Sequence, residues 1–181
     1  EFVENSGGVV LSLEEYWSFK KGKMKLKDLL ERSNCLGKEE EYKLYLSSFR
    51  ETSRNLRLDE LQEGVIGVLH NLKKKHNLYL LTLRRKKDPL MEQLKEFELL
   101  DFFDDVLTGF KEEERCKIKV GLIKEKGLDF KKGIIIGDTE TEINAAKALG
   151  FESIAVSNGI RSGEFLKEAD VVCNSVNQVI S

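Results

Sequence analysis

Apolar residues recur at helical spacing through the first third of the chain. Leu11, Leu13, Tyr16 and Phe19 lie on one helical face, with Ser12 and Glu15 in a capping-box pattern at its start. Leu26, Leu29 and Leu30 mark a second helix, and Tyr42, Leu44, Tyr45, Leu46 and Phe49 a third, with Gly37 between the two. No alternating strand pattern appears between Leu11 and Arg57, so this stretch reads as a small helical bundle.

The pattern changes near Leu58. Leu61, Val65, Val68, Leu69 and Leu72 form an amphipathic helix that runs into Lys73, Lys74 and Lys75, charges suited to a helix C-terminus. The apolar run 78–83 comes next and predicts a buried strand. Asp88 and Pro89 read as the N-cap and first residue of a helix whose inner face is Leu90, Leu94 and Phe97. Further strands are predicted over 105–108, 133–137, 153–157 and 170–173. Helices carrying Ile118, Leu122 and Ile123, closed by Gly127, and Ile143, Ala146 and Leu149, closed by Gly150, lie between them. Strands alternating with helices predict an α/β fold, a Rossmann-like parallel sheet with helices on both faces. The division is a helical unit over 1–57 and an α/β core over 58–181.

A chain of 181 residues, 40% hydrophobic and 34% charged, has enough apolar surface to fold as a globular domain. Its net charge of -2 gives no general attraction to nucleic acid or to an acidic membrane. No run of apolar residues is long enough to span a bilayer, and no signal peptide opens the sequence. Cys35, Cys116 and Cys173 are far apart with no C-x-x-C, which suits reduced thiols in the cytosol.

Function is then sought at the carboxyl ends of the predicted strands, where open parallel sheets bind ligands. Those positions hold Thr82 and Arg84, then the run 137–142 with Asp138, Thr139, Glu140 and Glu142, then the run 157–162 with Gly159 and Arg161. Carboxylates hold hard cations, while hydroxyls, amides and guanidinium groups hold phosphoryl oxygens. Asp138 directly follows an apolar strand, where a carboxylate is costly unless it is paired or coordinated. Glu142 also stands where a capping-box partner of Thr139 would stand, and Thr82 is also an ordinary strand former. The lysine runs 73–75 and 86–87 and Lys20, Lys21, Lys23, Lys25 and Lys27 read as solvated charge, with no aromatic ladder to suggest nucleic acid.

These residues carry a resemblance. From Leu78 onward the chain resembles the core of the haloacid dehalogenase superfamily, in its phosphoglycolate-phosphatase-like branch. Thr82 at a strand end is similar to the family's second motif, the helix bearing Lys117 to its third, and the run from Gly137 to Glu142, with Ile143 and Lys147 after it, to its fourth. The helical first third matches the family's cap insertion in place and size.

The resemblance implies a Mg²⁺-dependent phosphatase acting on a small phosphorylated substrate through an aspartyl-phosphate. Thr82 would bind the phosphoryl group, and Lys117 would neutralise charge, with Lys119 and Lys111 as alternatives; Arg84, beyond the same strand, is a further substrate-binding candidate as an anion-binding guanidinium. Asp138 would bind the metal, and Glu142 would support it in place of the family's usual Asp. The family's first motif, a strand ending in Asp-x-Asp-Gly-Thr, finds no counterpart: Glu1 to Ser6 resembles the residues just after that motif. The expectation is a chain lacking its nucleophile-bearing central strand. The rival expectations are a non-catalytic relative that binds a phosphorylated ligand or a protein partner, and a receiver-like domain, which the helical insertion argues against.

Overall fold

The computed structural model describes residues 1–111, 113–127 and 132–179. Its helical first third comprises α1 (Phe2–Asn5), α2 (Leu13–Lys21), α3 (Leu26–Arg32), α4 (Glu39–Phe49) and α5 (Ser53–Leu56). Ser12 and Glu15 form the capping box expected at the start of α2. Phe19, Leu30 and Cys35 are buried. Gly8 allows the chain to pass close to α3, since a Cβ there would stand 2.4 Å from the Ser33 carbonyl oxygen.

The remainder alternates as expected: α6 (Val65–Lys73), β1 (Tyr79–Thr82), α7 (Lys87–Glu96), β2 (Asp105–Thr108), α8 (Arg115–Glu125), β3 (Ile134–Gly137), α9 (Glu140–Leu149), β4 (Glu152–Val156) and β5 (Val171–Cys173). Asp88 and Pro89 do not cap and open α7. The N-cap is Lys86, so both residues lie inside the first turn. Proline is tolerated there because first-turn N–H groups have no intrahelical acceptor. Glu51 fixes the entry to the helix instead, accepting the Arg85 and Lys86 N–H groups at 2.8 and 2.7 Å.

All strand pairing is parallel, but it falls into two pieces, β1-β2 and β3-β4-β5. The pieces share one hydrophobic cluster, in which Leu107 of β2, Ile135 of β3, Ile123 of α8 and Ala145 and Ala146 of α9 are buried together, with Tyr79 and Leu81 of β1 packed against them. A layer of α8 and α9 therefore ties the two pieces on one face. A second cluster packs Leu90, Leu94, Leu99 and Val106 under α7 on the other face. β1 and β3 each pair on one side only among the described residues. Ile134 and Ile136 of β3 are 52% and 39% exposed, although Ile135 between them is buried. No described helix is long and apolar enough to cross a membrane.

At the start of β4 and β5, Ser153 is buried and donates both its N–H and its hydroxyl to one Asp170 carboxylate oxygen, at 2.8 and 2.7 Å. Those bonds, the hydroxyl's first, hold the Asp170 carboxyl below its usual range. A carboxylate with a lowered folded pKa contributes stability above its unfolded value of about 3.9, and the contribution fades as pH falls through the folded value. Thermal melts of the chain and of Asp170→Asn should therefore differ at pH 6, with the variant less stable. The gap should close as pH drops below about 4. A gap independent of pH would show that the carboxylate charge is not the source.

Candidate active site

Ile135 anchors β3 in the core, and at the strand's carboxyl end the chain turns directly into α9. Thr139 is the N-cap of α9 and forms a capping box with Glu142. Glu142 folds back under Gly137 so closely that a Cβ on Gly137 would lie 2.1 Å from its Cγ. One Glu142 oxygen accepts the N–H and hydroxyl of Thr139. The other is ion-paired to Lys119 of α8, and the two side chains are only 9% and 12% exposed. Both oxygens of Glu142 are thus engaged within the protein.

Asp138 lies beside this pair, half-buried, with Oδ2 accepting the Ile160 N–H at 2.8 Å. Gly159 makes that approach possible, since a Cβ there would sit 2.3 Å from Asp138 Oδ2. Oδ1 has no hydrogen-bond partner among the described residues and is the free acceptor of the site. A groove of about 370 Å³ opens next to it, lined by Gly137, Asp138, Asn158 and Gly159 on one side and by Leu61, Gln62 and Val65 on the other.

The other expected residues are dispersed. Thr82 ends β1 and is half-buried, with no hydrogen bond to Asp138 among the described residues; the two stand at the ends of the two strands that each leave one edge unpaired. Arg84 is held by Asp59 at 3.1 Å, and its backbone carbonyl accepts the Thr108 hydroxyl at 2.7 Å. Arg84 Nη1 is buried without a hydrogen-bond partner. Lys117 is exposed and pairs with Glu114 at 3.5 Å, and Lys111 pairs with Glu125 at 3.4 Å. Of the three lysines, Lys119 is the one that meets the Asp138–Glu142 turn. Helical spacing held the signal for this. Lys119 follows Ile118 and precedes Ile123 by one turn, so it shares the buried stripe of α8, whereas Lys117 does not.

A metal ion asks for more than this arrangement supplies. No three His, Cys, Asp or Glu side chains gather to hold one among the described residues. Asp138 Oδ1 offers a single acceptor, whereas Mg²⁺ prefers six oxygens and normally retains water.

A family model for haloacid dehalogenase-like hydrolases matches residues 8–156. The chain belongs to that family. No curated protein is similar enough in sequence to count as a match. Several solved haloacid dehalogenase-like structures share the fold. A family protein from Streptococcus pneumoniae is 19% identical, covering 91% of this chain and 86% of its own, with a TM-score of 0.68. A predicted phosphatase from Clostridium acetobutylicum is 21% identical over 94% of this chain and 81% of its own, TM-score 0.73. The magnesium-bound hydrolase YfnB from Bacillus subtilis is 17% identical over 94% and 83%, TM-score 0.62.

The helical first third touches this site through Arg161, the residue after the Ile160 amide that holds Asp138. Arg161 donates from Nε to Glu140 at 3.1 Å and from Nη1 to the Lys20 carbonyl at the end of α2. Lys23 pairs with the other Glu140 oxygen at 2.6 Å. The sequence marks Arg161 as a guanidinium near the site, but no local pattern joins it to α2, 141 residues away along the chain.

The Lys119–Glu142 pair yields a test. Glu142→Gln keeps the capping-box geometry but removes the charge, leaving Lys119 uncompensated in a buried setting. It should cost about 3 kcal/mol. Adding Lys119→Met should restore a large part of that loss in urea melts. A double variant no more stable than the single one would mean that the pair does not stabilise the fold through its charges.

Proposed function

We propose that this haloacid dehalogenase-like chain supplies the supporting part of a cytosolic Mg²⁺-dependent phosphatase acting on a small phosphorylated metabolite. The nucleophile stands on a strand seated between β1 and β3. The observation that carries the reading is the pair of strand edges, one of β1 and one of β3, left unpaired among the described residues under one helical layer, with Thr82 at the end of one strand and Asp138 at the end of the other. A strand between them would emerge between a phosphate-binding hydroxyl and a metal-binding carboxylate. The fold-sharing predicted phosphatase and magnesium-bound hydrolase are in keeping with this.

In this reading the aspartate on the seated strand attacks phosphorus while the ester P–O bond breaks. A second acid two residues on protonates the leaving oxygen and then deprotonates the hydrolytic water. Thr82 donates its hydroxyl to a phosphoryl oxygen. Lys119 takes the neutralising role expected of Lys117, because it is the lysine beside Glu142, and Arg84 Nη1 is a further free donor. Asp138 Oδ1 would supply one of the ion's oxygen ligands, the rest having to come from the seated strand and water, and Glu142 would steady the turn behind it through Thr139 and Lys119. Magnesium would neutralise charge between nucleophile and phosphate.

The direct comparison is p-nitrophenyl phosphate hydrolysis by this chain and by a form extended with an apolar strand ending in Asp-x-Asp-Gly-Thr. With Mg²⁺, the extended form should turn over and the 181-residue chain should not. Asp138→Asn in the extended form should lower kcat at least about 100-fold. Equal rates from both forms would defeat the reading. An extended form that binds vanadate without turnover would favour a non-catalytic relative.

A further inference from the structure

Helix α2 carries apolar side chains on two opposite faces. Phe19 is its buried residue and packs inward. Trp17 stands about 160° around the helix from Phe19, with Leu13 one turn before it, so both face away from the core. Leu13 is 73% exposed and Trp17 41%, and Val9 and Val10, on the approach to the helix, are each more than half exposed. Single exposed apolar residues are ordinary on a protein surface. Four of them between Val9 and Trp17, two on one helical stripe, make a patch, and a patch points to an interaction surface.

The charges on the same stripe identify what it meets. Glu14 lies one turn before Trp17 and Lys21 one turn after it, both exposed. Neither side chain has an ion-pair or hydrogen-bond partner among the described residues, whereas neighbouring Glu15 is held by Ser12 and Arg32. The midpoint between Glu14 and Lys21 along the helix falls at Trp17. A second copy of α2, laid antiparallel about a two-fold axis through that midpoint, therefore sets Glu14 against the partner's Lys21 and Lys21 against the partner's Glu14. The two Trp17 rings meet at the axis. Leu13 falls opposite Gly22 of the partner, which has no side chain to obstruct it. A parallel pairing would set like charges against each other, so charge selects the antiparallel one.

We propose that the chain forms a two-fold dimer through α2, with Val9, Val10, Leu13 and Trp17 at its apolar centre and two Glu14–Lys21 pairs at its rim. One patch serves both copies because it is complementary to itself in charge. Its extent is that of one short helix and the approach to it, at the small end of the interface range. The dimer should therefore dissociate at a concentration on the order of 10 µM. The inference goes beyond the phosphatase reading and does not depend on it.

Sedimentation velocity of the full chain from about 1 µM to about 200 µM reads the association directly. Monomer should pass to dimer and no further. Trp17 is the only tryptophan, so its emission should shift to the blue over the same range as the ring leaves water. Trp17→Ala should fold normally by circular dichroism, since the position is exposed, and weaken the dimer at least about ten-fold. Glu14→Lys or Lys21→Glu alone brings like charges together at both ends of the interface and should weaken it about ten-fold. The two substitutions combined restore opposite charges and should return the dissociation constant to within about three-fold of its native value.

A chain that stays monomeric throughout this range would overturn the proposal. So would a dimer that forms without the emission shift, or one indifferent to the single charge reversals or not rescued by the combined exchange. Association through the unpaired edge of β3 would give that last pattern.

Discussion

The buried contact between Lys119 and Glu142 joins the two halves of the α/β unit. α8 packs on the strand pair β1-β2, α9 packs on β3-β4, and the ion pair closes the seam between the helices. Buried charges are retained only when both partners and their remaining lone pairs are satisfied. Here Thr139 meets the second Glu142 oxygen, so the pair also sets the turn that presents Asp138. Gly137 and Gly159 are needed for the same reason, because any side chain at either position would enter the space taken by Glu142 or Asp138. One electrostatic contact thereby couples the packing of the helices to the orientation of the free carboxylate oxygen.

Below that seam the sheet is open. Parallel strands are ordinarily buried on both faces and paired on both edges except at the margins. Among the described residues β1 pairs only with β2 and β3 only with β4, and Ile134 and Ile136, which share one face of β3, are exposed, so that face of the strand is uncovered as well. The Glu152 N–H bonds to the Gly133 carbonyl, so the Gly133 peptide faces β4. Alternation then directs the peptide groups of Ile134 and Ile136 away from β4, to the unpaired edge.

Much of this fold is legible in the sequence, for identifiable reasons. The runs at 78–83, 105–108, 133–137, 153–157 and 170–173 are short and apolar between helical patterns, and strands form within a residue or so of each. Ser12–Glu15 and Thr139–Glu142 obey a local capping rule, and both boxes form. The start of α7 departs from its sequence expectation because its cap comes from Glu51, far away along the chain. The division of the sheet is hidden because periodicity reports which face is apolar and says nothing of which edges meet. Arg161 and the Lys20 carbonyl are 141 residues apart along the chain, and only the fold brings them together.

Amide hydrogen exchange across β3 tests the open seam most directly. In this chain alone, the Ile134 and Ile136 amides should exchange much faster than that of Ile135, which faces β4. A synthetic apolar strand ending in Asp-x-Asp-Gly-Thr should then slow both. Uniformly slow exchange along β3 without the added strand would mean that the edge is already paired, and the account of an interior strand position would be wrong.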